Sequence, residues 1–169
     1  DYNKIAEDFS RTRWNIWAEF SIFRNYIRNG DRILDIGCGN GRLLKMLKDK
    51  NIRYVGIDSS EKLVEIAKEK YPQNRFLVAD ALNLSFSESY FDIVFLIAVL
   101  HSIPSQKFRL KVLKEAKRVL KPKGLLILTV WDIWRKKAIT LVLKYLFLKL
   151  IKKSSLDFVP VIIHLPERI

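Results

Sequence analysis

The chain has 169 residues, 49% of them hydrophobic, enough for one domain with a sizeable core and too many for a disordered chain. Its single cysteine, Cys38, excludes an internal disulfide and a zinc site built on this chain's own cysteines, and no metal site is expected. The net charge of +13 is uneven: residues 101–169 hold sixteen lysines and arginines against four acids, whereas residues 31–100 hold ten of each. A one-sided basic surface suits a polyanion, nucleic acid or an acidic membrane, and its plainer reading is solubility.

In chain order, residues 3–9 and 14–28 read as helices ahead of a sheet, the second carrying Trp14, Trp17, Phe20 and Phe23 at near-helical spacing. Residues 32–36 form a short apolar strand, followed by glycines and a helix over about 41–50. A second strand spans 53–57. Ser60 is placed to cap a helix that runs to Lys70 and is closed by Pro72. Residues 75–79 and 91–97 are the third and fourth strands; the fourth is apolar throughout, as a strand covered on both faces must be. A helix over 105–120 stops at Pro122-Lys123-Gly124, and 125–130 is the fifth strand. Strands alternating with helices predict a doubly wound, mostly parallel α/β sheet with helices on both faces.

Residues 135–153 read as one apolar helix with lysines, and 158–164 as a single candidate strand that Pro160 restricts to an edge. The apolar stretch 138–151 is too short to span a bilayer and is broken by Lys144 and Lys149, so no stable membrane insertion is expected. With no signal pattern at the N-terminus and one cysteine, a cytoplasmic protein is expected. The whole of 1–169 reads as one domain: 1–30 as N-terminal helices over a cleft, 31–131 as the binding core, and 132–169 as a variable helix and tail.

The chemistry concentrates where strands end. Asp35 closes the first strand, and Gly37, Gly39 and Gly41 follow it in D-x-G-x-G-x-G spacing. Glycine lets the backbone turn sharply and approach a ligand closely, and the next helix offers free N–H groups. A dinucleotide loop would place a third glycine where Arg42 stands. The pattern instead resembles the loop of class I S-adenosylmethionine-dependent methyltransferases, whose Rossmann-like sheet normally finishes with an antiparallel strand pair; here that pair reads as incomplete. On this reading S-adenosylmethionine is the cofactor and S-adenosylhomocysteine the product. Asp58, 21 residues after Gly37 at the end of the second strand, accepts the ribose hydroxyls, with Ser59 beside it; its plainer role is a turn residue. Asp80 faces the adenine amine, flanked by Ala81 and Leu82, or is a simple turn aspartate. Asp35 holds the methionine moiety, directly or through water, and Ile97 ends the fourth strand against the site. Cys38 reads as a small residue packed beside the cofactor, the other reading being a thiolate nucleophile.

A narrower resemblance rests on Tyr2-Asn3-Lys4-Ile5-Ala6-Glu7-Asp8-Phe9-Ser10-Arg11-Thr12-Arg13-Trp14, on Val78-Ala79-Asp80-Ala81-Leu82-Asn83-Leu84, on Ile97-Ala98-Val99-Leu100-His101 and on Leu128-Thr129-Val130-Trp131. Over about residues 1–132 the chain resembles the tRNA wobble-uridine carboxymethyl methyltransferases. It departs from them at Ser102, where a second histidine is usual, and at Asn15-Ile16-Trp17, where Lys-Pro-Trp is usual.

That resemblance implies O-methylation of a 5-carboxymethyl group on tRNA, and a small zinc-binding activator protein as partner. Methyl transfer from a sulfonium is an in-line displacement, in which positioning contributes roughly 7–11 kcal/mol. A carboxylate acceptor is already ionised near neutrality, so it needs a cationic pocket rather than a strong base. Arg13 either supplies a planar fork for it or is a surface arginine. His101 hydrogen-bonds the acceptor or packs under the cofactor. Arg109 faces the same cleft or is solvated, and Trp131 stacks on a base or packs at the sheet edge. Lys107, Lys111, Lys114 and Arg118 share a helix face that could track phosphates. Two other readings remain: a methyltransferase for a lipid, quinone or polyketide-like small molecule, favoured by the apolar 138–151, and a non-catalytic cofactor-binding scaffold.

Overall fold

The computed structural model describes residues 2–12 and 21–129. Its elements in order are α1 (Tyr2–Thr12), α2 (Ser21–Arg24), β1 (Arg32–Ile36), α3 (Leu44–Leu47), β2 (Arg53–Asp58), α4 (Glu61–Lys70), β3 (Arg75–Val78), β4 (Phe91–Ile97), α5 (Gln106–Val119) and β5 (Leu120–Thr129), with a 3-10 turn at Leu100–Ser102. All strand pairs are parallel, in the order β3-β2-β1-β4-β5. The chain starts in the middle of the sheet, winds out to β3, and returns to build the other half from β4. The reversal leaves a crevice at the carboxyl ends of β1 and β4, where open α/β sheets bind ligands.

Parallel strands are covered on both faces, and side chains alternate between them. Ile33, Tyr54, Phe76, Ile93, Phe95 and Ile127 form one core with Val64 and Ala67 of α4. Leu34, Ile36, Ile57, Val94 and Leu96 form the other with Val112, Ala116 and Val119 of α5. Phe95 is fully buried; truncation to alanine there costs about 3–5 kcal/mol by transfer and cavity terms.

α4 follows its sequence signal. Ser60 caps it, accepting from Leu63 N at 3.3 Å, and it ends at Lys70. Two expectations are corrected. The helix expected over 41–50 is reduced to Leu44–Leu47 between turns. Gly41 lies at φ +73, outside the helical region, and Leu44, Lys45 and Met46 bond three residues back rather than four. β5 begins at Leu120, immediately after α5, and Pro122-Lys123-Gly124 does not precede the strand but lies within it. The register jumps there: Phe91 faces Leu120 while Ile93 faces Leu125, so these residues form a bulge, with Lys123 at φ +62. Of the helix expected over 14–28, only Ser21–Arg24 is helical among the described residues, and 25–28 leave the helix as a turn and extended chain toward β1; residues 14–20 and everything expected beyond residue 129 lie outside the described residues.

α1 lies along α4 and buries Ala6 and Ser10. Polar contacts fix both its ends. Ser60 Oγ donates to Asn3 Oδ1 at 2.7 Å. Lys70 Nζ and Asn40 Nδ2 both donate to Ser10 Oγ, at 2.9 and 3.1 Å. The N-terminal helix is thus tied directly to the glycine loop.

Candidate active site

The loop after β1 is held by backbone bonds to β2: Gly37 N and Cys38 N both donate to Ile57 O, at 2.8 and 2.9 Å. Gly39 N donates to Asp58 Oδ2 and Ser60 N to Asp58 Oδ1, both at 2.9 Å. One carboxylate therefore joins the loop to the start of α4. Each of its oxygens has two lone pairs, so both keep capacity for a ligand hydroxyl. Gly37 sits at φ +74, and a Cβ there would collide with Val99. The turn and the close approach both require glycine.

The loop closes one side of a cavity of about 480 Å³, within the range usual for small-molecule sites. Asp35, Gly37, Cys38, Gly39, Asp58 and Ser59 line it, as do Asp80, Ala81, Leu82 and Ile97 from the ends of β3 and β4. Ten of the eleven residues expected to bind cofactor thus meet in one space. Gly41 is not in the lining: it turns toward α4 and β3, where a Cβ would come within 3.0 Å of Tyr71 and Phe76. Its glycine serves packing of the loop.

Asp80 Oδ1 accepts from Leu82 N at 2.8 Å, shaping the turn that carries Ala81 and Leu82 to the cavity. Asp35 is 2% exposed and accepts from the Tyr54 hydroxyl at 2.7 Å on Oδ2. Burial pushes its carboxyl up to about 7; the Tyr54 hydrogen bond opposes this, Asp58 adds to it and Arg42 opposes it. Burial, with Asp35 and Asp58 beside it, pushes the Cys38 thiol well above its usual range. Burial that disfavours the thiolate suits Cys38 to packing beside the cavity rather than to nucleophilic attack.

On the far side, Ala98 follows β4 at φ +57, an uncommon conformation for a residue with a Cβ. Its N–H donates to Thr129 Oγ1 at 3.0 Å. His101, exposed, lines the cavity from the 3-10 turn. Arg109 does not line it: its Nη1 donates to Ile103 O at 2.7 Å, which holds the 103–104 segment at the cavity's edge. Arg118 is likewise diverted from phosphate tracking. It pairs with Glu115 and donates to Phe86 O and Leu84 O, all at 2.8 Å. Arg13 and Trp131 lie outside the described residues.

Sequence reasoning passed over Tyr54, Asn40, Arg42 and Phe108. The last three line the cavity, and Phe108 stands 45% exposed at its mouth. Alternation from Asp58 puts Tyr54 on the same face, but only the strand register shows that it meets Asp35.

Residues 34–128 match the methyltransferase domain family, and the chain belongs to that family. Among individual proteins, it is 38% identical over 130 residues to a tRNA (carboxymethyluridine(34)-5-O)-methyltransferase of Arabidopsis thaliana, covering 77% of this chain and 31% of that protein. The same activity names a Saccharomyces cerevisiae relative, 35% identical over 130 residues, with 77% and 46% covered. The chain thus spans less than half the length of these curated relatives. A SAM-dependent methyltransferase structure from Methanosarcina mazei superposes with a TM-score of 0.61 at 34% identity, covering 68% of this chain and 57% of the other. A complex of the Haloferax volcanii Trm112 methyltransferase activator with a methyltransferase superposes with a TM-score of 0.66 at 27% identity, covering 77% and 60%.

Proposed function

We propose that this chain carries an S-adenosylmethionine-dependent methyltransferase site that esterifies a 5-carboxymethyl group on the wobble uridine of tRNA. The observation that carries the cofactor half is the meeting of Asp35, Asp58 and Asp80, from three successive strand ends, in one cavity beside the glycine loop. These are acceptors, and the cofactor offers donors to match: ribose hydroxyls for Asp58, the adenine amine for Asp80, the ammonium of the methionine end for Asp35. Ala81, Leu82 and Ile97 give apolar walls for the adenine. When bound, the cofactor supplies a methyl group on a sulfonium.

The acceptor half is supported by the relatives' printed activity and by the similarity over 130 residues. His101 lines the cavity from the 3-10 turn that follows β4, where it can hydrogen-bond an incoming carboxylate. Phe108, exposed at the mouth, offers a ring on which an unstacked base can lie. Arg13 is proposed to orient the acceptor carboxylate, and Trp131 to stack on the base. Lys107, Lys111 and Lys114 are exposed along α5 and suited to phosphates. A small zinc-binding activator is proposed as partner, supported by the Trm112 complex among the matching structures.

The test is transfer of a labelled methyl group to bulk tRNA, with and without such a partner. Ester methyl groups are released as methanol by mild base, whereas N-methyl and ribose 2′-O-methyl groups are not. Base-labile label is expected; base-stable label, or none under either condition, would refute the reading.

A further inference from the structure

Within the core, one polar contact stands behind the cofactor loop. Tyr54 on β2 lies directly opposite Ile33 of β1, and Gly56 lies opposite Asp35. Paired residues share a face, so Tyr54, Gly56 and Asp35 all point to the same side. With glycine opposite Asp35, no β2 side chain intervenes, and the phenol reaches diagonally to Oδ2 at 2.7 Å. The ring is 5% exposed and packs edge-to-face against Phe76 at 5.7 Å. A Cβ on Gly56 would come within 3.0 Å of both Phe76 and Cys38, so the space that allows this contact depends on glycine. Burial and the neighbouring Asp35 push the phenol well above its usual range. Tyr54 therefore stays protonated and can only donate to the carboxylate.

A hydroxyl buried this deeply in an apolar layer needs a partner, and an all-phenylalanine core would pack as well. Its partner here is the one fully buried carboxylate that lines the cavity. We propose that Tyr54 is a positioning residue of the cofactor site: its hydrogen bond to Oδ2 fixes Asp35 and favours the carboxylate, so that Oδ1 receives the cofactor's cationic ammonium. This rests on the assignment of Asp35 to the methionine end of the cofactor.

The groups that face Asp35 are Tyr54 and Asp58 from β2, Cys38 from the loop and Arg42 beyond it. Burial and Asp58 favour the protonated acid, whereas Tyr54 and Arg42 favour the carboxylate. A cation binds the carboxylate form, so affinity declines as pH falls through the Asp35 midpoint near 7. Without the tyrosine hydroxyl that midpoint rises, and the decline begins at higher pH.

The experiment is calorimetric titration of S-adenosylhomocysteine into wild type, Tyr54→Phe and Asp35→Asn, between about pH 5.5 and 7.5, below the ~7.7–8.0 at which an α-amino group titrates. Wild-type affinity is expected to fall toward ~tenfold per pH unit on the acid side. Tyr54→Phe should bind more weakly than wild type near neutrality and follow the same curve displaced to higher pH. Asp35→Asn, which cannot titrate, should bind weakly with no such slope. A Tyr54→Phe curve that bends at the same pH as wild type, however much weaker its binding, would overturn the proposal, because an unmoved midpoint marks a packing role alone. Wild-type affinity and slope in Asp35→Asn would overturn it by removing its footing, while the cofactor reading itself stands or falls separately on Asp58→Ala.

Discussion

Replacing Asp35 with asparagine is expected to stabilise the ligand-free protein above neutral pH while it weakens the hold on cofactor. The carboxyl rises from 3.8 to about 7 on folding, chiefly through burial. An acid whose folded value lies above its unfolded value binds a proton more readily in the folded state. Between those two values the folded protein is therefore protonated where the unfolded chain is not, and stability falls as pH rises through the window. One pKa unit corresponds to about 1.36 kcal/mol, so the full penalty above pH 7 is about 4 kcal/mol. Asparagine still accepts the Tyr54 hydroxyl but never ionises. Its amide N–H groups bring a pH-independent cost of about 1–3 kcal/mol if they find no acceptor. The pH-dependent part is the cleaner quantity. The stability difference between variant and wild type should grow in favour of the variant by about 3 kcal/mol from pH 5 to pH 8. Urea unfolding of both ligand-free proteins across that range measures it. A difference that does not change with pH would refute the premise that Asp35 is charged at a cost inside the apolar layer.

Asp58→Ala removes the acceptor of both Gly39 N and Ser60 N along with the proposed ribose partner. It should abolish measurable S-adenosylmethionine binding by calorimetry, and wild-type affinity would exclude the ribose role. Gly37→Ala combines a left-handed backbone with a collision against Val99; thermal melting should show a loss of at least ~1–3 kcal/mol, and an unchanged melting curve would contradict the loop geometry. Replacing Lys107, Lys111 and Lys114 together by alanine should lower the salt dependence of tRNA binding by a slope of ~2. Arg118→Ala should leave that slope alone and lower the melting temperature, because Arg118 holds the Leu84 and Phe86 carbonyls; the reverse pattern would restore it to the phosphate surface.

The sheet was legible because each strand is a short apolar run, each bounded by residues that end strands. The lining of the cavity was legible because the acids Asp35, Asp58 and Asp80 stand at those ends, and a strand end fixes where a side chain can point. What stayed hidden depends on contacts between distant residues. Tyr54 reads as an ordinary apolar position until register sets it beside Asp35. Arg118 reads as a charge on a helix face until the turn at 84–86 closes over it. Pro122-Lys123-Gly124 signals a turn correctly, but the turn is a bulge inside β5, since pairing with Phe91 resumes the strand before it. Gly41 fits the loop pattern, yet the need for glycine there comes from Tyr71 and Phe76 packing behind it.

The identity of the methylated nucleoside is the most direct test of the proposed activity. The protein should be incubated with S-adenosylmethionine and tRNA whose wobble uridines end in a free 5-carboxymethyl group, with a small zinc-binding activator in one arm. The nucleosides are then resolved by mass spectrometry. The expected result is that 5-carboxymethyluridine is consumed and its methyl ester appears, heavier by one methylene. A methyl group on any other nucleoside, with 5-carboxymethyluridine untouched in both arms, would contradict it.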